Sequence, residues 1–75
     1  MNPNTRLVER RKQLNLTQEE LARKANISRA YLANIEAGRR TSTIHVAKRI
    51  ADALQSTVDY LFTDSVPKGN EEHTA

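Results

Sequence analysis

The side chains in this sequence that are best suited to chemistry are planar hydrogen-bonding groups in its middle third. They are Arg29, Asn34 and the adjacent pair Arg39 and Arg40. A guanidinium or amide group can form two parallel hydrogen bonds with a phosphate or with the edge of a nucleic-acid base. The 75 residues contain no Cys, two isolated His and no glycine-rich phosphate loop, so they lack the spacing of a metal site or an activated nucleophile. The sequence therefore predicts a binding protein without metal or cofactor, and not an enzyme.

Positive charge is concentrated in the first 62 residues. Residues 1–62 carry eleven Lys or Arg and six Asp or Glu, whereas residues 63–75 carry one Lys and three acidic residues. A basic domain suits a polyanionic partner such as double-stranded DNA. The last 13 residues include Pro67, Gly69 and one large aliphatic side chain, Val66, which is too little apolar surface to offset the entropy lost on ordering. We expect a folded domain over residues 1–62 and a flexible acidic tail over residues 63–75.

The apolar runs also bear on location. They are only a few residues long, far below the roughly 20 needed to cross a bilayer, and the first residues do not form a secretion signal. A chain without Cys suits a reducing compartment. We expect a cytoplasmic protein with no membrane partner.

The spacing of apolar residues predicts five short helices and no strand, and so an all-α domain. The first helix runs from about Thr5 to Leu14, and the others begin after the capping residues Thr17, Ser28, Thr43 and Thr57. Glu20 completes a capping box with Thr17, and Gly38 ends the third helix. Asn15 and Asn26 stand where a helix ends and the chain reverses, so we predict a left-handed backbone with positive φ at both.

Three segments resemble the helix-turn-helix signature of Cro/repressor-type (Xre family) DNA-binding proteins. They are Leu16-Thr17-Gln18-Glu19-Glu20-Leu21-Ala22, Ile27-Ser28-Arg29 and Ile35-Glu36-Ala37-Gly38. The resemblance continues through residues 50–54 and 58–62, and so covers most of residues 6–62. The chain departs from the family at Asn15, Asn26 and Gln55, where Gly is frequent, and at Ser56, where an aliphatic residue is usual.

This resemblance implies a five-helix fold like that of the lambda repressor, similar to lambdoid phage repressors and restriction–modification controller proteins. The second and third helices would form the helix-turn-helix, and the protein would bind palindromic operators as a dimer. The third helix would then lie in the major groove with its N-terminal residues at the base edges. Leu32 and Ile35 face inward and are excluded. The remaining candidates for reading bases are Arg29, Ala30, Ala33 and Asn34.

Three of these side chains have natural partners among the bases. We predict that Arg29 bonds a guanine, that Asn34 bonds an adenine and that Ala30 touches a thymine methyl group. The alternatives are that Arg29 meets only a phosphate and that Asn34 is solvated.

Residues around the reading helix are candidates for phosphate contacts. Gln18 starts the second helix, where free N–H groups favour an anion, but its amide could instead brace the reading helix. Tyr31 could offer its hydroxyl to a phosphate or pack its ring in the core, and the loop after Gly38 could be a solvated connection. The predicted phosphate contacts are Thr17, Gln18, Ser28, Tyr31, Arg39, Arg40, Thr41 and Ser42.

Two charged residues fall on apolar faces of their helices. Arg11 lies between Leu7 and Leu14, and Glu36 lies one turn beyond Leu32. Each would be an uncompensated buried charge unless the two met, so we predict a partly buried Arg11–Glu36 ion pair with a structural role. The family resemblance implies the same pair.

The fifth helix is the predicted dimer interface, formed by Val58, Tyr60, Leu61 and Phe62. Together these expectations describe a sequence-specific DNA-binding regulator of transcription, a homodimeric repressor on a palindromic operator, with a regulatory protein partner as one means of control. The alternatives are the antitoxin of a toxin–antitoxin pair and a helical adaptor that binds a protein through the same surface.

Overall fold

The computed structural model describes residues 3–62, which form five helices and no β-strand. The helices are α1 (Thr5–Gln13), α2 (Gln18–Ala25), α3 (Arg29–Ala37), α4 (Ile44–Ala53) and α5 (Val58–Leu61). The prediction of an all-α, five-helix domain is confirmed. The acidic tail predicted over residues 63–75 lies outside the described residues. None of the helices in residues 3–62 has the length and apolarity required to span a bilayer.

A side chain caps the first turn of every one of these helices. Asn4, Thr17, Ser28, Thr43 and Thr57 each accept a hydrogen bond from a backbone N–H three residues later. Each cap satisfies a donor that the helix itself leaves unpaired. These residues explain why the helices begin where the sequence predicts.

The capping box at the start of α2 is present in full. The Glu20 N–H donates to Thr17 Oγ1 at 3.0 Å, and the Thr17 N–H donates to Glu20 Oε1 at 2.8 Å. The Thr17 backbone N–H lowers the pKa of Glu20, because the hydrogen bond favours the ionised carboxylate. This contact contributes stability at neutral pH that is lost when the pH falls through the lowered pKa.

Four of the helices end in the same left-handed turn. Asn15 and Asn26 have φ of 59° and 61°, which confirms the prediction, and Gln55 and Gly38 have φ of 54° and 79°. In each case the following residue donates its N–H to a carbonyl five residues back, as from Ile27 to Ala22 at 2.9 Å. This is the Schellman arrangement, which satisfies the last carbonyls of a helix. It lets a short chain reverse direction without a long loop.

Gln55 is the residue least suited to this turn, because its Cβ crowds the backbone at positive φ. We expect Gln55→Gly to raise the free energy of unfolding by about 1 kcal/mol, and the melting temperature by about 4–8 °C. Thermal unfolding followed by circular dichroism measures the change. The matched control is Gln13→Gly in the right-handed last turn of α1, which should lower stability. A fall in stability on Gln55→Gly would contradict this account of the turn.

The core lies where all five helices meet. Each helix contributes at least one side chain that is 1% exposed or less, namely Leu7, Leu21, Leu32, Ile50 and Leu61. The helix α2 packs against α3 and α4, and α5 packs against α1 and α4. This packing fixes the positions of α2 and α3 relative to each other, and so sets the geometry of the helix-turn-helix.

The burial of α5 corrects the predicted dimer interface. Leu61 is 1% exposed and Phe62 is 5% exposed, and both belong to the core of a single subunit. The last residue of the short α5 and the capping residue after it close this end of the core, so neither side chain is exposed for contact with a second subunit. Tyr60 is 51% exposed, and Val58 is half-buried against the core. Of the four residues predicted for the interface, only these two reach the surface.

Candidate nucleic-acid interface

The helix-turn-helix presents one face of α3 to solvent. Only residues 26–28 separate α2 from α3, and the left-handed Asn26 makes this tight turn possible. Leu32 and Ile35 anchor the inner face of α3 in the core. On its outer face Arg29 and Ala30 are exposed, whereas Ala33 and Asn34 are half-buried. All four residues predicted to read bases therefore lie on one accessible face.

Arg29 lies at the N-terminal end of this face. Its Nη1 donates to Gln18 Oε1 at 3.2 Å, so the first residue of α3 contacts the first residue of α2. A guanidinium has five N–H donors, and this bond uses one of them. The other donors can bond a base or a phosphate.

Asn34 lies at the other end of the face and is tied to the loop that follows α3. Its Oδ1 accepts from Arg39 Nε at 3.1 Å, and its backbone carbonyl accepts from the N–H groups of Arg39 and Arg40. The amide keeps its NH₂ group and one further lone pair of Oδ1 for a ligand. Asn34 is therefore held by the protein and is not simply a solvated side chain.

Gln18 braces the reading helix. Its Nε2 donates to Glu36 Oε1 at 2.9 Å while its Oε1 accepts from Arg29, so both ends of the amide bond to α3. Of the two roles predicted for Gln18, these contacts support bracing. These two bonds use one of the two N–H donors of the amide and one lone pair of its oxygen.

Two capping residues each keep a hydroxyl group that can donate a hydrogen bond to a phosphate. Thr17 and Ser28 are exposed, and their hydroxyl oxygens accept from the N–H groups of Glu20 and Tyr31. An oxygen that accepts at a cap retains its own O–H as a donor. Both hydroxyls lie at helix N-termini, where the free N–H groups and the helix dipole favour an anion.

The loop after α3 places the Arg40 cation beside Tyr31. Arg39, Arg40 and Thr41 are exposed, and the Arg40 guanidinium lies 5.6 Å from the centre of the Tyr31 ring. The Tyr31 ring is half-buried and packs against the core, as one of its two predicted roles requires. This stacking orients the Arg40 charge at the edge of the α3 face.

The position of Ser42 corrects the prediction that this residue contacts a phosphate. Its side chain is 2% exposed, and its Oγ has no hydrogen-bond partner. The chain must turn inward here to place Thr43 at the start of α4, which buries the preceding residue. Because the Ser42 hydroxyl does not lie at the surface, it is not a phosphate contact in this arrangement.

The structure brings Arg11 and Glu36 together beneath the interface. Arg11 Nε lies 2.8 Å from Glu36 Oε2, and the two side chains are only 12% and 6% exposed. Arg11 Nη1 also donates to the Leu16 carbonyl at 2.8 Å, and Nη2 donates to Glu36 Oε1 at 3.4 Å. With the bond from Gln18, the carboxylate accepts three N–H groups. A buried charge that is paired and hydrogen-bonded in this way is stably held.

Some contacts have no counterpart in the sequence-based prediction. Arg10 Nε donates to the Leu54 carbonyl at 2.9 Å, which ties α1 to the end of α4. Arg6 donates to the Tyr60 carbonyl at 3.2 Å and stacks on its ring at 4.9 Å. In the sequence both arginines are part of an ordinary charge run, and only the packing of α1 against α5 and against the end of α4 distinguishes them. Within residues 3–62 no three metal-ligating side chains converge.

The sequence is similar to those of known regulators. A family model described as helix-turn-helix matches residues 7–61. The chain is 48% identical over 44 residues to the immunity repressor protein of Bacillus phage phi105, an alignment that covers 59% of this chain and 31% of the phage protein. It is 44% identical over 50 residues to an uncharacterised helix-turn-helix-type transcriptional regulator of Methanothermobacter thermautotrophicus, covering 67% and 72% of the two chains. The aligned part is thus about a third of the phage repressor.

The fold is similar to those of solved regulators. The restriction–modification controller protein C.AhdI from Aeromonas hydrophila aligns with a TM-score of 0.75 at 32% identity, over 79% of this chain and 89% of that one. The DNA-binding domain of the P22 c2 repressor aligns with a TM-score of 0.76 at 25% identity, over 93% and 96%. A chain of the SinR–SinI protein complex aligns with a TM-score of 0.73 at 26% identity, over 96% and 64%.

Proposed function

Because the chain belongs to the helix-turn-helix family of Cro/repressor-type (Xre) DNA-binding transcriptional regulators, we propose that it is a dimeric repressor whose α3 reads a palindromic operator. The observation that carries this proposal is the outer face of α3. Arg29 and Asn34 stand at its two ends, held by Gln18 and Arg39, and the face is flanked by the exposed Arg40. Occupation of a promoter by such a protein would block transcription.

We assign base contacts to Arg29, Ala30, Ala33 and Asn34, and phosphate contacts to the residues around them. Arg29 is suited to the O6 and N7 atoms of a guanine, and Asn34 to an adenine. Phosphates would meet the hydroxyls of the α2 and α3 caps and the cations of the loop. The phosphate set is Thr17, Ser28, Tyr31, Arg39, Arg40 and Thr41.

Dimerisation follows from the size of the interface. One α3 spans only a few base pairs, which is too little to select one site among those of a genome, so two copies would read half-sites about 34 Å apart. We place the dimer interface at Tyr60, with Val58 beside it, because Tyr60 is the large apolar side chain most exposed within residues 3–62. Its ring is also oriented by Arg6.

Tyr60→Ala is expected to weaken the dimer about tenfold or more, because a central aromatic side chain commonly contributes over 1 kcal/mol to an interface. Sedimentation equilibrium measures the dissociation constant. Tyr60→Phe is the matched control, since it keeps the ring and the stacking of Arg6. If the dissociation constant of the dimer were unchanged in Tyr60→Ala, the dimer interface would lie on another face.

Arg40→Ala is expected to weaken binding to all DNA sequences by a similar factor. Removing one cation that neutralises a phosphate should reduce the slope of log K against log salt concentration by about 1. The matched control is Arg49→Ala, which removes the same charge but lies in a surface depression with Asp52 and Gln55 at the far end of α4. Fluorescence anisotropy at several salt concentrations gives both slopes. Equal slopes for Arg40→Ala and wild type would exclude the phosphate contact.

Titration with random and selected duplexes tests the function as a whole. An operator is first selected from a pool of random duplexes, and affinity for it is compared with affinity for random DNA at two salt concentrations. The proposal predicts tighter binding to the selected duplex by about a thousandfold or more. A helical adaptor that uses this surface for a protein would show no such preference, and that result would contradict the proposal.

A further inference from the structure

We propose that Glu36, a buried residue that does not reach DNA, sets the base preference of α3 by orienting Gln18, which in turn fixes Arg29 for a guanine. Glu36 is 5% exposed and lies under the reading face. The inference rests on the proposed function and deepens it, since it names the residue behind the specificity of that same site. It makes Glu36 and Gln18 positioning residues, which act on DNA through Arg29.

The three side chains form an unbroken hydrogen-bonded series. Gln18 Nε2 donates to Glu36 Oε1 at 2.9 Å, and Arg29 Nη1 donates to Gln18 Oε1 at 3.2 Å. Arg11 holds the far side of the carboxylate at 2.8 Å. Position 18 is the first residue of α2 and position 29 the first of α3, so the series joins the N-termini of the two helices.

Donor and acceptor chemistry permits only one orientation of the Gln18 amide. An ionised carboxylate can only accept hydrogen bonds, and a guanidinium can only donate them. The amide must therefore turn its NH₂ group to Glu36, which leaves its oxygen for Arg29. If Glu36 were absent, the amide could rotate and present its NH₂ group to the guanidinium, which would break the contact.

Fixing Arg29 in advance matters because a free arginine side chain loses much rotamer freedom when it binds. The bond to Gln18 uses one of its donors and restrains the guanidinium, whose remaining donors keep the fork that matches the O6 and N7 atoms of guanine. A restrained fork favours guanine over bases that lack this pair of acceptors. An unrestrained Arg29 side chain would bond a nearby phosphate about as readily as it would bond guanine.

The experiment compares base preference among variants with the full chain. The operator selected with wild type is varied at the guanine assigned to Arg29, and affinity is measured for all four bases at that position. Gln18→Ala removes the link, and the double variant Arg11→Met/Glu36→Leu removes the anchor while leaving no uncompensated buried charge. Gln13→Ala, on an exposed turn of α1, is the matched control.

We expect wild type and Gln13→Ala to prefer guanine by about tenfold or more, and both Gln18→Ala and the double variant to reduce that preference severalfold with little loss of affinity for random DNA. In an Arg29→Ala background, Gln18→Ala should change the preference no further, because the two residues act in series. A merely structural role of Glu36 would not move the base preference.

Two results would overturn the inference. If Gln18→Ala weakened binding to all four operators equally, Gln18 would be a phosphate contact, while the proposed function would stand. If the double variant kept the full guanine preference, Glu36 would not position the amide. A wild-type chain that showed no preference for any selected duplex would instead remove the proposed function itself.

Discussion

Glu36→Ala is expected to lower the free energy of unfolding by about 3–5 kcal/mol, because it leaves the Arg11 guanidinium buried without its counter-charge. Arg11 and Glu36 are 2.8 Å apart and almost fully enclosed. The substitution also frees the amide of Gln18. A domain of this size has few kcal/mol of stability in total, so the melting temperature should fall by about 15 °C or more. Urea denaturation and thermal unfolding measure both quantities.

The surface ion pair of α2 provides the control. Arg23 and Glu19 lie 3.7 Å apart with both side chains 73% exposed, so Glu19→Ala should cost less than about 1 kcal/mol. The double variant Arg11→Met/Glu36→Leu should recover most of the stability lost in Glu36→Ala, since no charge is then left buried. If Glu36→Ala cost no more than Glu19→Ala, the buried pair would not have the structural role assigned to it.

Arg29→Ala is expected to abolish discrimination at one position of the operator. A bidentate interaction with guanine corresponds to about 1–3 kcal/mol, or roughly 5–150-fold in relative affinity for the right and wrong base. Arg29 is exposed on the outer face of α3 and is not part of the core, so the variant should fold normally. Competition between operators that differ at single base pairs measures the effect.

Arg23→Ala is the matched control for this prediction, because it removes the same charge from an exposed position of α2 near the end of the helix. It should leave the pattern of base preference intact. A uniform fall in affinity over all base pairs for Arg29→Ala would instead identify Arg29 as a phosphate contact.

The local signals in the sequence predict the fold of residues 3–62 well. Thr17 with Glu20 marks the start of α2, and Asn15 and Asn26 mark the turns, because capping and left-handed backbone conformations are properties of a few consecutive residues. The family resemblance and the burial rule for charges both indicate the pairing of Arg11 with Glu36. These features depend on side-chain chemistry that can be read without knowing how the helices pack.

Other features depend on packing between distant segments and are not predictable in the same way. Phe62 could cover the end of its own core or meet a second subunit, and only the position of α5 against α1 and α4 decides between them. Ser42 looks like a loop donor until the entry into α4 buries it. The orientation of the Gln18 amide can be predicted only when Glu36 and Arg29 are known to lie on either side of it.

Replacing one atom of the DNA is the most direct test of whether the outer face of α3 reads bases. In 7-deazaguanine the N7 acceptor of guanine is replaced by C–H while base pairing is preserved. With this base at the position assigned to Arg29, we predict that wild type loses about tenfold in affinity, whereas Arg29→Ala binds both operators equally. Equal affinity of wild type for the natural and the deaza operator, at every guanine of the half-site, would contradict the account.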